Sequence, residues 1–519
     1  VGPGPLARHP RYPPPVRRAA LSLFALLAGV YVLLTGGHVY SPDTTLMVGV
    51  SRAIVERQQL HVPELAESMG FGGSLHEGRF YVKYGLGWSL AAAPGVALGH
   101  ALAPLSPPGE SLIFDTPTTA AGREFFAQQH VDPSGATPYR RLWYETRDFT
   151  PAFATWCASL TNAWVTAAAM VAMLLAALSL GAGLRAALPV VLLVALATPV
   201  AHYARTAFSE PLVGLGLAGC LAAALRARDR PALWFVAGLF LGTAVLTRVG
   251  TVVLAPLALL LWDRRASSLA RATAGFVLPV GVALAYNAVR FGNPLETGYA
   301  GEVGSFSTPF LEGLRGLWTS PGRGLLLYCP LVVPALFGLR RLPRAVALYV
   351  AGSLVGLTLL YAKWHMWEGG WCWGPRFLVP ALPLLALGLL HVRPLVIAPF
   401  ALASAAIVAP SHVVHWHDYY QWLKRVALGA PELLPPFDHY YDLLRWHLDY
   451  APLTRFWQFP VRDGLLLPHA LETPGLVLAL LGVAAVVALG GAVGLVRAWH
   501  AASGVDSPRH NPQDGAVHG

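Results

Sequence analysis

The sequence predicts an all-α polytopic membrane protein of about 12 transmembrane helices, each of about 20 apolar residues, with juxtamembrane helices in its first extracytoplasmic loop. Three observations carry this reading. The 519 residues are 55% hydrophobic and 12% charged, with a mean hydropathy of +0.51, a composition of polytopic membrane proteins rather than soluble enzymes. Apolar runs of spanning length recur along the chain. Their connections alternate between short Arg-rich ones and long ones crowded with Trp, Tyr, His and acids. Short basic loops stay in the cytoplasm, whereas long loops cross largely regardless of charge, so the elaborate connections belong outside.

The spans fall near 19–39, 152–179, 184–202, 208–225, 232–248, 250–262, 272–288, 324–339, 345–362, 377–391, 394–410 and 474–497. Arg8, Arg11, Arg17 and Arg18 precede the first within a disordered cytoplasmic N-terminus, 1–18. No small-residue cleavage pattern follows, so the first helix reads as a retained anchor. The stretch 232–262 is nearly continuous and divides at Thr247, Arg248 and Gly250. With a cytoplasmic N-terminus, the clusters Arg226/Arg228/Arg230, Arg264/Arg265/Arg271 and Arg340/Arg341/Arg344, then Arg393 and Arg497, all fall inside.

One apolar stretch, 86–105, is left out of the count, because including it would put either the N-terminal arginines or every later cluster outside. With Pro94, Gly95, Gly99, His100 and Pro104 it reads as an interfacial or re-entrant helix. The alternative, that it spans and the N-terminal arginines lie outside, stays open. The chain thus divides into a transmembrane module, 19–410, with its external loop 40–151; an external segment, 411–473; a last helix, 474–500; and a disordered cytoplasmic tail, 501–519. The implied location is the cell (inner or plasma) membrane, multi-pass, with both termini cytoplasmic and chemistry on the outer face.

The net charge of +10 is dispersed among loops instead of forming one stripe, which argues against nucleic acid. Cys157, Cys220, Cys329 and Cys372 are scattered without a C-x-x-C, so neither a disulfide framework nor a zinc site follows. His412, His415 and His417 have spacings compatible with a metal, yet histidines are common in aromatic interfacial loops. The metal content stays unknown.

Candidate chemistry lies in the external segments. Asp43, after Tyr40-Ser41-Pro42, opens a run with Leu46, Val50, Ile54 and Val55 at helical spacing. It is either a first-turn carboxylate favoured by the helix dipole or a general base at the lipid boundary. Lys83 and Tyr84, in Tyr81-Val82-Lys83-Tyr84-Gly85-Leu86-Gly87, place a cation among aromatics at headgroup depth, for a lipid phosphate or for snorkelling. Ser209-Glu210-Pro211 has the composition of a helix start with Ser209 as cap, and Arg205 is a positive neighbour for Glu210. The most specific tract runs from Trp364 to Phe377. An aromatic belt explains its tryptophans but not Gly369-Gly370, Gly374-Pro375 or Arg376. Glycines allow close backbone approach, indole faces suit sugar rings, and an arginine fork matches a phosphate. Trp364, His365, Glu368, Trp371 and Arg376 are its candidate substrate contacts, and Arg323, ending another external loop, is a further one.

These residues resemble the GT-C superfamily of polytopic glycosyltransferases, in particular the protein O-mannosyltransferase and lipid A aminoarabinose transferase branch. The resemblance rests on Asp43 after helix one, on Tyr81 to Gly87, on Arg205 to Pro211 and on Trp373 to Phe377. It covers most of the first ten spans and fades after about residue 394. It implies a polyprenyl-phosphate-linked sugar as donor, Asp43 as the first-loop catalytic acid, Glu210 as the second acid and Lys83 as a donor-phosphate contact. Arg376 as a phosphate contact is an inference from its loop. The implied partners are that donor, an extracytoplasmic glycan, lipid or protein acceptor, and membrane lipids. No cofactor is certain, though a divalent cation is possible through Glu210. Many protein O-mannosyltransferases carry two adjacent acids in the first loop, whereas Thr44 follows Asp43 here, which weakens a protein acceptor. The rival class is a lipid-linked sugar transporter or flippase; it would more naturally show inverted repeats or mid-membrane charges, and neither is visible.

Overall fold

The computed structural model describes residues 13–37, 39, 41–66, 72–110, 112–114, 144–146, 149–299, 306–414, 419–420, 422–423, 426, 436–459 and 475–503. The chain begins with α1 (Pro14–Leu34) and α2 (Pro42–Arg57). An antiparallel hairpin of β1 (Gly73–His76) and β2 (Arg79–Val82) leads into α3 (Leu86–Leu102). The strands β3 (Leu112–Phe114) and β4 (Tyr144–Thr146) also pair antiparallel. Then come α4 (Phe149–Ser159), α5 (Thr161–Ser179), α6 (Leu184–Leu196), α7 (Pro199–Ala204), α8 (Glu210–Ala227) and α9 (Leu233–Thr247). A 3-10 helix, Val249–Leu260, joins α9 to α10 (Ala266–Phe291). Beyond it lie α11 (Phe310–Thr319), α12 (Leu325–Tyr328), α13 (Val332–Leu339) and α14 (Arg344–Ala362). A second long 3-10 helix, Arg376–Leu384, runs into α15 (Leu385–Leu389), followed by α16 (Pro394–Val408), α17 (Pro436–Trp446), α18 (Pro452–Arg455) and α19 (Gly475–Ser503).

Among the described residues 8 helices are long and apolar enough to cross a membrane, and four shorter apolar segments accompany them. The protein is therefore a polytopic helical membrane protein. Without water in the bilayer core, backbone groups must pair within each segment, so apolar runs of this length become helices. Small residues let these helices approach: Gly238 and Gly242 of α9 lie against α10, Gly275 returns the contact, and Gly29 of α1 meets Ala484 and Ala488 of α19. One large core joins α1, α5, α6, α8 and the 376–389 stretch. A smaller aromatic one gathers Tyr328, Trp373, Tyr419, Tyr420 and Phe456.

Several expected spans differ in form. The stretch 324–339 is interrupted, because Pro330 has no N–H to continue a helix and pushes Cys329 out of the helical region, to φ −144 and ψ 66. The stretches expected at 250–262 and 377–391 are mostly 3-10, with Pro256 inside the first and Pro380 and Pro383 inside the second. Thr198-Pro199 ends the third span and starts the separate α7, whose first N–H is capped by the Thr198 side chain. Ser209 precedes α8 without any side-chain cap bond.

Residues 86–105 form a helix of spanning length, 20 residues with hydropathy 1.2. Its packing is informative: Trp88 Nε1 donates to Asn162 Oδ1 at 3.0 Å, Gly95 lies against Cys157 and Gly99 against Ala154. Moving along α3 therefore means moving backwards along α4, with α5 left behind. Glu56 of α2, held by Arg52, accepts from His100 Nε2 at 2.9 Å and ties α2 to α3.

Candidate functional site

Three element starts converge on one guanidinium. Ser-Pro-Asp opens α2, Ser-Glu-Pro opens α8, and Arg376 opens the second 3-10 helix. A carboxylate in a first turn is favoured by the helix dipole, which makes both acids stable where they stand. Arg376 Nη2 donates to Asp43 Oδ2 at 2.7 Å, Nε donates to Glu210 Oε1 at 2.7 Å, and Nη1 donates to the Gly369 carbonyl at 3.0 Å. The Phe208 ring lies 4.0 Å from its guanidinium carbon. Arg248, at the joint between α9 and the first 3-10 helix, pairs with the same Glu210 oxygen and lies over Tyr361 and Phe377, themselves stacked 4.1 Å apart.

Asp43 has a second neighbour. Tyr84 donates its hydroxyl to Asp43 Oδ1 at 2.6 Å. Burial pushes the Asp43 carboxyl up, but Arg376, Tyr84 and Arg248 outweigh it, and the group titrates below its ordinary value. Burial, and then the Asp43 charge, push the Tyr84 hydroxyl well above its ordinary value. Tyr84 thus stays a donor and Asp43 an anion at neutral pH.

These groups border a cavity of about 860 Å³. Asp43, Lys83, Tyr84, Trp364, Trp371 and Arg376 all line it, so six of the residues singled out from sequence share one wall. Lys83 Nζ lies 5.8 Å from the Tyr84 ring centre and 5.5 Å from that of Tyr299. Part of the lining is apolar, with Val245, Leu246, Val249, Ala283 and Leu360. Cations outnumber acids on the described wall: Lys83, Arg248, Arg290 and Arg376 against Asp43 and Glu296. An anion with an apolar tail matches that division.

The other candidates stand elsewhere. Glu210 is 1% exposed and lies behind Arg376, off the described wall, with Oε2 unpartnered. Arg205 donates to the Leu34 and Ser411 carbonyls, joining the end of α1 to the end of α16. Arg323 is 0% exposed and donates to the carbonyls of Gly322, Glu368 and Gly370 and to the Tyr420 hydroxyl. Both arginines hold backbone in place instead of facing the cavity. Glu368 is buried and accepts from Arg445 Nη2 at 2.9 Å, and His365 is exposed beside Trp364. His412 faces His202 with ring centres 6.4 Å apart; His415 and His417 lie outside the described residues.

Two cations escaped the sequence reading. Arg290 Nη1 donates to the Val82 and Tyr84 carbonyls at 2.6 and 2.9 Å, and Nη2 to Asn287 at 2.7 Å, buckling the Lys83–Tyr84 turn to the end of α10. Arg248 borders the cavity beside it. The available signal was position: both arginines end apolar runs on the side where basic residues are scarce. A divalent cation does not suit this donor set, since Arg376 already occupies the space shared by the two carboxylates. Among the described residues no three His, Cys, Asp or Glu side chains gather as metal ligands.

No protein-family model and no curated protein matches the chain. Among solved structures, the chain is similar to the crystal structure of ArnT from Cupriavidus metallidurans bound to undecaprenyl phosphate, at 15% identity and a TM-score of 0.47, covering 94% of this chain and 77% of that one.

Proposed function

We propose that this protein is a membrane glycosyltransferase that moves a sugar from a polyprenyl-phosphate donor to an acceptor hydroxyl on the extracytoplasmic face. The observation that carries the reading is Asp43, paired with Arg376 and Tyr84 on the wall of a cavity that has both cationic and apolar lining. The polyprenyl chain lies along Val245, Leu246, Val249, Ala283 and Leu360. Its phosphate meets Lys83 and Arg248, and the unspent N–H groups of Arg376. On this reading α3 lies on the outer side and does not cross.

The acceptor hydroxyl faces Asp43, whose oxygens each accept one hydrogen bond and keep a further lone-pair direction. As the acceptor oxygen bonds to the anomeric carbon, its proton passes to Asp43 and the anomeric C–O bond breaks. The bonding pair leaves with the polyprenyl phosphate, and the single displacement inverts the anomeric carbon. Lipid phosphate is already a competent leaving group, so the protein mainly positions both partners and neutralises growing charge. Glu210 fixes Arg376 and Arg248 and takes no proton.

Incubating the purified protein in proteoliposomes with a radiolabelled polyprenyl-phosphate hexose and a mixed panel of glycan, lipid and serine-peptide acceptors tests the assignment. Release of polyprenyl phosphate is the expected result; donor that binds or crosses the bilayer uncleaved overturns it in favour of a flippase. The pH profile adds a second check. A carboxylate with a lowered pKa is ionised above its ordinary value and loses its ion pair only as pH falls through the lowered one. Transfer should therefore hold to acid pH, with its acidic limb below about 3.9, the ordinary aspartate value. An Asp43-dependent limb above that value contradicts the pairing.

A further inference from the structure

The cavity wall changes character on either side of Asp43. Tyr84, next to Lys83 in the chain, donates to one carboxylate oxygen, and the Gly369–Trp371 loop adjoins the other by way of Arg376. Met366, Gly369, Gly370, Trp371 and Tyr441 line the cavity beside Arg376, and Met366, Trp371 and Tyr441 pack in one aromatic cluster. None of these five carries a charge. The two glycines sit at φ +82 and +67, backbone that favours glycine and keeps this floor free of side chains. Trp371 is stacked on Tyr420 with ring centres 5.2 Å apart and planes 23° apart, and the Tyr420 hydroxyl is held by Arg323 at 2.8 Å. The indole is therefore a backed, immobile platform.

We propose that this end is the acceptor subsite and that it takes the ring of a neutral sugar, in a glycan or a glycolipid headgroup. The inference rests on the transferase reading and names the acceptor class for the same site. An acceptor phosphate would need a cation here, and none of these five described residues is one. A peptide acceptor would need backbone partners, but the Glu368 and Gly370 carbonyls already accept from Arg323 and the Gly369 carbonyl from Arg376. A sugar ring needs neither: its C–H face packs on an aromatic plane while its hydroxyls reach the Tyr441 hydroxyl and Asp43. The prenyl chain has its own apolar wall. A volume of 860 Å³ lies near the top of the range for one drug-sized ligand, roughly 300–1,000 Å³, which leaves room for a donor headgroup and an acceptor ring side by side.

Saturation-transfer difference NMR on the full chain in nanodiscs, with a panel of methyl hexosides and methyl pentosides and a serine tripeptide as control, reads binding without requiring turnover. Ring-proton signals from at least one glycoside are expected, weakened about fivefold or more in Trp371→Ala and less in Trp371→Phe, which preserves a ring against Tyr420. Trp457→Ala, whose ring is 63% exposed and off the described wall, should leave them unchanged. No glycoside signal in the wild type, a full signal in Trp371→Ala, or a stronger signal from the tripeptide overturns the proposal. Polyprenyl phosphate release is followed separately on the same samples. Donor cleavage without glycoside binding removes only the acceptor assignment, whereas absence of cleavage removes the transferase reading itself.

Discussion

Asp43→Asn should lower sugar transfer by about 10²–10⁴-fold, the range supplied by a positioned general base, while the protein remains folded. Asparagine keeps a carbonyl oxygen for Arg376 or Tyr84, and Asp43 is 26% exposed at the cavity, so the packing cost is small. Arg376 keeps its bonds to Glu210 and Gly369. The loss therefore falls on kcat, because the amide cannot take the acceptor proton. The measurement is initial-rate transfer from a polyprenyl-phosphate hexose, alongside the thermal midpoint of each variant. Wild-type rates in the asparagine variant would sink the assignment of Asp43, and a collapse of the midpoint would make its role structural.

Glu210→Ala should instead cost stability first. The carboxylate is 1% exposed and pairs with both Arg376 and Arg248, so its removal leaves Arg376 with Asp43 alone and takes from Arg248 its carboxylate partner. Breaking a buried pair by removing one partner costs about 3–5 kcal/mol, which should appear as a marked fall in thermal midpoint in detergent. Glu210→Gln restores an oxygen for Arg376 and should recover part of the stability. A chemical role predicts the reverse: a dead but stable glutamine variant. Alanine with wild-type stability would remove Glu210 as the anchor.

Much of this arrangement is legible in the sequence, for identifiable reasons. The polytopic class follows from apolar length and basic clusters, both properties of short windows. Asp43 and Glu210 each sit next to a proline at the first turn of a helix beside a span, so their place at a boundary can be read locally. Arg376 stands out because Gly374-Pro375 just before it has no use in a plain aromatic belt. Other features depend on contacts that no window contains. Arg248 and Arg290 read as ordinary ends of spans until α9 and α10 are set beside α2 and the Tyr84 turn. Arg205 and Arg323 carry the same charge as Arg376, yet each is spent on carbonyls remote in sequence. Tyr441 reaches the cavity from a segment that carries little recognisable pattern. Helix type is illegible for a related reason: an apolar run such as Val249–Leu260 has no polar face to report whether its period is 3.0 or 3.6.

The arrangement of Asp43, Arg376, Glu210 and Arg248 has a consequence for charge balance during turnover. Two carboxylates and two guanidinium groups sum to zero in the resting site. On the proposed reaction, the phosphodiester donor carries one negative charge, and the released polyprenyl monoester carries about −1.5 to −2 at neutral pH. Asp43 becomes neutral in the same step, so the quartet turns cationic as the product gains its second charge. Arg376, released from one of its two acids while keeping Glu210, then has Nη2 to offer the new phosphate dianion. On the proposed reaction the chemical step is electroneutral across the site. On that reading, product release follows deprotonation of a single aspartate.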